Sequence, residues 1–396
     1  MKQGWEIKKL GEVSEIINGG TPKTKVSAYW DGDIYWITPA DLGKLTKIIV
    51  NDTPRKITDL GLEKSSAKLF PENSIILSTR APIGHLAINS VPMSTNQGCR
   101  GIVPIKNVDT WFIYYFLKKN VELLNTLGTG ATFKELSTKA LAGIEIPIPP
   151  LYEQQRIVSI LDKVFTAIDK AKANAEQNLK NACEVFDSYL KGVFENGNWE
   201  TKKLNEITEV KDGTHDSPKY IKEGIPFVTQ KNIKPDGLSF DDTKFITETD
   251  HEKFYKRSNV TYGDILISMI GANRGMAAIV DDKRVFSIKN VGLIKSSENI
   301  NMNYLLYYLK SSIAMKYVLY MSNGGAQEFV GLTALRSFPI PLPSIQEQQT
   351  IVRQLDDLRA ETQMLEAVYQ KKIDDLEELK KSVLQKAFTG ELIEDV

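Results

Sequence analysis

The stretch IPIPPLYEQQRIVSILD at residues 146–162 returns as IPLPSIQEQQTIVRQLD at residues 340–356, and this repeat decides the fold. The two stretches lie 194 residues apart. The same offset joins WEIKKLGE, which starts at Trp5, to WETKKLNE, which starts at Trp199. Solenoid repeats have periods of roughly 20 to 50 residues, so a period this long indicates two copies of one whole unit.

Length and composition are those of a globular protein with two domains or more. The 396 residues leave room for several separate cores. No apolar run reaches the roughly 18 residues that a membrane helix needs, and the start MKQGWEIKKL lacks a signal-peptide core. We therefore expect a cytoplasmic protein. Cys99 and Cys183 show no CxxC spacing, which disfavours a disulfide framework or a structural zinc site.

The zero net charge hides an uneven distribution. The first front, residues 1–150, holds 18 Lys/Arg against 14 Asp/Glu, and the second front, residues 198–344, holds 19 against 17. The first helical segment, residues 151–197, holds 6 against 7, and the second, residues 345–396, holds 7 against 12. This pattern fits fronts that meet an acidic partner. Chance composition explains so small an excess equally well.

Both helical segments are predicted to be long helices with a coiled-coil seam. Apolar residues recur at alternating steps of four and three, a period of 3.5 residues that is typical of coiled coils. The predicted seam comprises Ile157, Leu161, Val164, Ile168, Ala171, Ala175, Asn178, Ala182, Val185 and Tyr189 in the first helix, and Ile351, Leu355, Leu358, Thr362, Leu365, Tyr369, Lys372, Leu376, Leu379 and Val383 in the second.

A helix of about 40 residues cannot bury such a seam alone. We expect the two helices to pack on each other within the chain. Either direction is sterically possible because a front of about 150 residues lies between them, and an antiparallel pair would relate the two fronts by a two-fold axis. Packing of each helix on its own front, or pairing between chains, is the alternative. Ser344 and Glu347 predict a capping box at the second start, whereas Pro150 takes the cap position at the first.

The fronts read as mixed α and β structure. Short apolar runs such as SIILST and DILISMI predict strands, and TWFIYYFLKKNVELLNTL and NMNYLLYYLKSSIAMKYVLY predict helices with aromatic core faces. The predicted fold class is α+β: two tandem fronts of mixed α/β structure, each followed by a long helix.

Polar turns between the predicted strands carry residue types that bond base edges and phosphates. Any exposed loop looks similar, and shared ancestry alone would produce some recurrence between the copies. The candidate DNA contacts are Thr21, Lys23, Arg80, His85, Asn96 and Arg100 in the first front, and Lys211, His215, Lys231, Asn232, Asn273, Arg274, Lys289 and Asn290 in the second.

Catalytic motifs are hard to find. The chain has no G-x-x-x-x-G-K-[ST] phosphate loop, and IPPLY places Ile148 where an amino-methyltransferase motif needs a polar acceptor. Asp236, Asp242 and Lys244 resemble the acid-and-lysine spacing of metal-dependent nucleases, but the pattern is short and common. We therefore expect a binding protein without catalytic residues, resident cofactor or metal.

Several motifs together carry a resemblance. They are the W-x-x-K-K-L-x-E openings, GGTP at Gly19, DGTH at Asp212, and P-P-L-x-E-Q-Q at Pro149 with its partner PLPSIQEQQ. With them the chain resembles, over essentially its whole length, the specificity subunit of type I restriction–modification systems. One departure is Ser344–Ile345, where the first copy has Pro150–Leu151.

The resemblance implies that each front is a target recognition domain that reads one half of a bipartite, asymmetric DNA site. The helices would form an antiparallel coiled coil with pseudo-two-fold symmetry, set the spacer and dock two methyltransferase subunits for adenine N6 methylation. Restriction/translocase subunits would join to cut unmodified DNA. S-adenosylmethionine, ATP and Mg would be bound by those partners. A stand-alone coiled-coil scaffold for DNA or protein, and a metal-dependent nuclease using Asp236, Asp242 and Lys244, are the alternatives.

Overall fold

The structure, a computed structural model, describes residues 4–130, 134–322 and 329–392. It divides into two compact units of about 200 residues. Unit 1 comprises Met1–Ala175 with Lys371–Val396, and unit 2 comprises Glu176–Gln370. Each unit therefore contains one front, part of the first long helix and part of the second. These helices span Leu151–Asn196 and Ile345–Thr389.

The front of unit 1 is built on two main sheets. Its strands are Glu6–Lys9, Ser14–Asn18, Trp30–Ile37, Ile49–Val50, Arg55–Ile57, Ile75–Ser78, Leu86–Asn89, Met93–Thr95, Cys99–Pro104 and Glu145–Ile148. Its helices are Leu10–Val13, Ser27–Tyr29 (3₁₀), Pro39–Leu42, Asp59–Glu63, Thr110–Lys119, Val121–Leu127 and Thr138–Ala142. The five-stranded sheet has the order 14–18, 99–104, 75–78, 86–89, 49–50, and the three-stranded sheet has the order 55–57, 30–37, 93–95.

The front of unit 2 repeats this plan with shorter strands. They are Thr201–Lys203, Val210–Asp212, Ile225–Val228, Ile233–Lys234, Gly237–Leu238, Lys244–Ile246, Ile265–Ser268, Ala277–Ile279, Ser287–Ile288, Val291–Ile294 and Pro339–Pro341. The helices are Leu204–Ile207, Gln230–Asn232 (3₁₀), Glu248–Ser258, Met302–Lys310, Ser312–Met321 and Leu332–Arg336. The four-stranded sheet has the order 210–212, 291–294, 265–268, 277–279, and the three-stranded sheet has the order 244–246, 225–228, 287–288.

The two ends of each repeated sequence pair with each other. Glu6–Lys9, from the W-x-x-K-K-L opening, runs antiparallel to Glu145–Ile148, which precedes the first long helix. In unit 2, Thr201–Lys203 pairs in the same way with Pro339–Pro341. The repeated sequences are therefore joined by backbone hydrogen bonds at the base of each front, where the long helix begins.

A buried glutamine from E-Q-Q ties each helix to its front. Gln154 accepts a hydrogen bond from the Asp109 backbone N–H (2.9 Å) and donates one to the Pro149 carbonyl (2.8 Å). Gln348 repeats this with the Asn301 N–H (2.8 Å) and the Pro343 carbonyl (2.9 Å). Asp109 and Asn301 are the N-caps of the aromatic helices. The glutamine therefore fixes the angle between that helix and the long helix.

Within each unit the two long helices run antiparallel. In unit 1, Lys380 bonds Asp169 (2.6 Å) and Lys172 pairs with Glu377, so the residue numbers rise along one helix and fall along the other. In unit 2, the Tyr189 hydroxyl lies 3.3 Å from the amide oxygen of Gln354. The predicted α+β class with antiparallel long helices is confirmed.

The seam itself needs correction. Leu365 and Leu379 are 46% and 47% exposed, and Val185 and Tyr189 are exposed as well. One stripe of buried or partly buried positions runs along each helix, and Phe165, Phe194 and Phe388 are buried beside it. The stripe comprises Ile157, Leu161, Val164, Ile168, Lys172, Ala175, Leu179, Ala182, Phe186, Leu190 and Val193 in the first helix, and Ile351, Leu355, Leu358, Thr362, Glu366, Tyr369, Ile373, Leu376, Lys380, Leu384 and Ala387 in the second.

Both helices use the same corrected spacing. From Ile157 to Val193, and from Ile351 to Ala387, 36 residues are covered in ten steps, which gives 3.6 residues per step. This is the period of a straight α-helix, so the stripe advances one residue beyond the 3.5-residue seam in each helix. The ends of each stripe pack into a front, as Leu190 does in the core that contains Tyr304 and Tyr308.

The predicted capping box is half formed. Ser344 accepts a hydrogen bond from the Glu347 N–H at 3.3 Å. The Glu347 carboxylate accepts one from the Trp199 indole N–H at 2.9 Å instead of reaching back to the cap. The repeated tryptophan of unit 2 is thereby bonded to the repeated E-Q-Q.

Candidate nucleic-acid interface

In unit 1 the GGTP loop lies directly against the STNQG loop. The Gly20 N–H donates to the Thr95 carbonyl at 2.8 Å, and the Thr21 hydroxyl bonds the side-chain oxygen of Gln97. A Cβ added at Gly19 would lie 1.9 Å from the Asn96 carbonyl oxygen. Glycine is therefore required for the two loops to approach, and their polar side chains form one surface.

A cleft of about 480 Å³ opens beside these loops. Arg80, Asn96 and Arg55 line it, together with Glu135, whose carboxylate lies 3.7 Å from the Arg80 guanidinium. Arg80 keeps 39% of its side chain exposed. Two cations and an amide at a concave surface suit a polyanion and the edges of bases.

Arg100 faces inward. It is 8% exposed, and its guanidinium donates to the carbonyls of Gln97 (2.7 Å) and Cys99 (2.9 Å). Burial lowers the pKa of this guanidinium, and the nearby Glu135 carboxylate acts in the opposite direction. The expectation that Arg100 contacts DNA is therefore corrected. Its side chain supports the STNQG loop, and the rest of its guanidinium donates to the Thr138 hydroxyl (3.2 Å) and lies 3.6 Å from the Glu135 carboxylate.

The other candidates of unit 1 are divided between two places. Lys23 is exposed on the GGTP loop, and its carbonyl accepts a hydrogen bond from the Trp30 indole at 3.3 Å. His85 lines a separate cleft with Gly43, Tyr114 and Lys118. The structure therefore groups Thr21, Lys23, Arg80 and Asn96 and leaves His85 outside that group.

In unit 2 the DGTH loop meets the SIKN loop. The Thr214 N–H donates to the Ile288 carbonyl at 3.0 Å. His215 Nδ1 lies 2.7 Å from the Asn290 side-chain oxygen, and His215 Nε2 lies 3.1 Å from Asp212. The His215 side chain is 65% exposed, so its position is fixed while its face stays accessible.

Charged side chains surround this pair of loops. Arg257 grips Asp212 with three hydrogen bonds of 2.7 to 2.9 Å. Lys253 bonds Asp216 at 2.9 Å, and this contact lowers the pKa of the Asp216 carboxyl. The Lys289 ammonium donates to Ser217 at 2.6 Å. The Lys289 contact holds the SIKN loop close to the DGTH loop.

The remaining candidates of unit 2 differ in availability. Asn232 is 5% exposed and caps its 3₁₀ turn by accepting from the Thr229 N–H at 2.9 Å, so the expectation that it contacts DNA is corrected to a structural role. Lys231 and Asn273 are exposed. Arg274 donates to Ser322 (2.9 Å), and Lys211 pairs with Glu209 (3.1 Å) on the edge strand.

Backbone register makes the two loop pairs equivalent. The Asn96 backbone N–H donates to the Ile37 carbonyl at 3.0 Å, and the Lys289 backbone N–H donates to the Val228 carbonyl at 2.9 Å. Both bonds lie at the same place in their strand pairs. Counting from these bonds and from the loop contacts, Thr21 corresponds to His215 and Gln97 to Asn290. The two units thus hold different side chains at corresponding positions after the same strand pairs, although the loop between Thr95 and Cys99 is one residue longer than the loop between Ile288 and Val291.

The residues at the position of the cleft can be matched between the units in the same way, and they differ. Leu136 donates to the Thr79 carbonyl, and Val330 donates to the Met269 carbonyl, both at 2.8 Å. The isolated bridge Arg80–Glu135 of unit 1 therefore corresponds to Ile270–Phe329 in unit 2. A charged pair on one unit is replaced by an apolar pair on the other, so the two surfaces suit different ligand edges.

The nuclease alternative gains no support from geometry. Lys310 donates to the Pro235 carbonyl at 3.2 Å beside Asp236, while the ammonium of Lys244 rests 4.3 Å from the Tyr220 ring centre. Across residues 4–130, 134–322 and 329–392 no group of three or more His, Cys, Asp or Glu could hold a metal ion. In those same ranges no helix is long and apolar enough to cross a membrane.

Several members of the surface escape sequence inspection. Arg55 meets the candidates through the pairing of its strand with Trp30–Ile37, and Gln97 meets Thr21 through a side-chain hydrogen bond. Arg257 reaches Asp212 from a helix 45 residues away. The one usable signal was local: Gln97 belongs to the STNQG turn that already supplied Asn96.

Comparison with known proteins agrees with this geometry. The family described as type I restriction modification DNA specificity domain matches residues 2–180 and again residues 196–374. Because these two matches cover most of the chain, it belongs to this family and is a specificity subunit of a type I restriction–modification system. As such it is a non-catalytic subunit that recognises DNA, as the sequence resemblance predicted.

Relatives of similar length extend the match over the whole chain. The type I restriction enzyme MjaIX specificity subunit of Methanocaldococcus jannaschii is 29% identical over 98% of this chain and 93% of its own length. A solved structure on complex assembly and conformational transition of the type I R-M system superposes with a TM-score of 0.79, at 19% identity over 99% of both chains. The HsdS subunit from Thermoanaerobacter tengcongensis gives 0.65, at 18% identity over 99% of this chain and 98% of its own.

Proposed function

We propose that each front reads one half of a bipartite, asymmetric duplex site through its pair of polar loops. The observation that carries this proposal is the shared scaffold with exchanged side chains: Thr21 with Gln97 in unit 1, and His215 with Asn290 in unit 2. Equivalent strand pairs set a similar approach to a groove, and different donors and acceptors select different bases. Two such surfaces in one chain read two unlike half-sites.

The long helices would set the spacer between the half-sites and dock two methyltransferase subunits. The support is the duplication itself, because Gln154 and Gln348 build the same helix base in both units. Two equivalent bases suit two equivalent partners. In this proposal the partners bring S-adenosylmethionine for adenine N6 methylation, restriction/translocase subunits use ATP and Mg, and the complex works in the cytoplasm.

The test is reconstitution. The purified chain alone should transfer no methyl group from S-adenosylmethionine to duplex DNA, and adding its cognate methyltransferase subunit should produce methylated adenines at one bipartite motif. Methyl transfer by the lone chain, or metal-dependent cleavage by it, would contradict the assignment. Binding to a protein but to no DNA would favour the coiled-coil scaffold instead.

Modularity gives a sharper version of the test. Replacing residues 1–150 by the equivalent front of a related subunit should change one half of the methylated motif and leave the other half unchanged. His215→Ala should relax base choice only in the half of the motif that the front of unit 2 reads, because His215 belongs to unit 2. A simultaneous change in both halves, mapped by sequencing the methylated adenines, would mean that the fronts share one reading surface.

A further inference from the structure

Arg55 is a cation held on an aromatic platform at the edge of the unit 1 cleft. Its guanidinium carbon lies 4.6 Å from the Trp36 ring centre and 5.7 Å from that of Trp30. Trp36 is 2% exposed, and its indole N–H donates to the Gly20 carbonyl at 2.9 Å. The platform is therefore anchored to the GGTP loop, and Arg55 is oriented relative to that loop before any ligand arrives.

Lys244 occupies the same position in unit 2. Arg55 pairs with Trp36 across two antiparallel strands, and Lys244 pairs with Phe227 in the equivalent strands. Each cation is followed two residues later by a fully buried isoleucine. The Lys244 ammonium lies 4.3 Å from the centre of the Tyr220 ring, so it too rests on an aromatic face.

Both cations are exposed, and neither takes part in an ion pair within the described parts of the chain. Neighbouring cations have carboxylate partners. Arg257 is paired with Asp212 and Lys253 with Asp216, and Arg80 lies near Glu135. Arg55 and Lys244 therefore offer an uncompensated positive charge whose direction is fixed by a ring.

Comparing the two units distinguishes contacts to bases from contacts to phosphates. The side chains of the loop pairs and of the cleft differ between the two units. A cation that rests on an aromatic ring is present at the position of Arg55 and Lys244 in both. Base edges differ between two half-sites, but phosphates do not. Arginine and lysine also differ as base readers, because only arginine forms the rigid bidentate fork, while both serve as a charge for a phosphate.

We propose, building on the function proposed above, that Arg55 and Lys244 are equivalent phosphate-anchoring residues that set the register of each front on the DNA backbone. They are positioning residues for recognition, and the neighbouring loops read the bases. Each would neutralise one phosphate beside its half-site, and each would act independently of the sequence read.

The experiment uses the full chain assembled with its methyltransferase subunit on duplex DNA. Arg55→Gln and Lys244→Gln remove the charge but keep a polar chain that can lie on the ring. Each should lower the magnitude of the slope of log K against log salt by about 0.9, and the double variant by about 1.8. Arg55→Lys and Lys244→Arg should restore the slope, and the methylated motif should stay unchanged in all of them.

Lys106→Ala is the matched control. Lys106 is exposed and follows the strand Cys99–Pro104, at the end opposite to the reading loops, so its removal should leave the slope unaltered. Slopes for Arg55→Gln and Lys244→Gln equal to that of the unmodified complex would overturn the proposal. So would a changed base at one half-site that Arg55→Lys fails to rescue, because that outcome makes Arg55 a base reader.

The two levels of the proposal fail differently. If the unmodified complex neither binds nor methylates duplex DNA, the proposed function itself is wrong. If it methylates one bipartite motif normally while both glutamine variants keep its full salt slope, only the anchoring role is wrong. Thermal unfolding of each variant separates a contact effect from misfolding, and a variant that unfolds is replaced by Arg55→Met or Lys244→Met, which keep the apolar stem over the ring.

Discussion

The 3.6-residue stripe predicts which leucines of the long helices carry stability. Leu161 and Leu355 occupy matching positions, and both are fully buried in their cores. Truncating a fully buried leucine to alanine costs about 2 to 5 kcal/mol. Leu365 and Leu379 are about half exposed, so the same truncation there should cost about 0.5 kcal/mol or less.

These free energies convert into separate melting shifts. Each unit comprises about 200 residues, for which 1 kcal/mol corresponds to a Tm change of about 2 to 4 °C. A loss of about 3 kcal/mol in Leu161→Ala or Leu355→Ala should therefore lower the Tm of the affected unit by roughly 6 to 12 °C. Leu365→Ala and Leu379→Ala should shift it by about 2 °C at most.

The assay is scanning calorimetry of the four single variants, with urea unfolding as a second probe. Leu161→Ala should act on unit 1 and Leu355→Ala on unit 2, since the two leucines belong to different cores. The reasoning is refuted if Leu365→Ala and Leu379→Ala cost as much as the buried pair. That result would restore the 3.5-residue seam that sequence periodicity suggested.

Three further predictions concern single side chains. Gln348→Leu should cost about 2 to 4 kcal/mol, because it leaves the Asn301 N–H and the Pro343 carbonyl without partners, while Gln349→Leu on the exposed face should be nearly neutral in urea unfolding. Burial raises the pKa of Tyr308 to about 12, above the value near 10 of an unfolded chain. Its contribution is therefore complete below pH 10 and lost as the pH rises toward 12, so Tyr308→Phe should flatten the alkaline fall in stability and Tyr320→Phe, at an 86% exposed position, should not. Finally, a site that engages about six phosphates should give a log–log salt slope near −5 for the assembled complex, and a slope near zero would indicate a protein partner.

The two-unit architecture could be predicted because the same sequence motifs occur in both halves of the chain. The offset between the two IP-x-P runs predicts two units, and strand pairing then explains why those runs and the W-x-x-K-K-L openings repeat together. Helix length was predictable from the absence of proline. The stripe was not, because choosing between Leu365 and Glu366 requires knowing whether the helices supercoil, and a short apolar list fits both periods.

The sequence predicts which loops belong to the site, but it does not predict the contacts between them. Polar turns such as DGTH and SIKN could be selected by composition, but their meeting depends on the antiparallel pairing of Val210–Asp212 with Val291–Ile294. Arg100 resembles Arg80 in sequence but is buried, because it lies within an inner strand of the unit 1 sheet, between Ser14–Asn18 and Ile75–Ser78. Arg55 could not be predicted from the sequence, because its contact with Trp36 forms across an antiparallel strand pair.

The composition of unit 1 from two distant segments bears on how the protein is made. Phe388 packs on Phe112 and Phe116, with ring centres 5.1 and 5.5 Å apart, so the nascent first front waits for a side chain about 280 residues further on. At ribosomal rates of about 5 to 20 residues per second, that wait lasts roughly 14 to 55 s. Unit 2 is continuous in sequence and is complete sooner. The domain translated first is thus the last able to close its core, and its uncovered aromatic surface is what a chaperone would meet during synthesis.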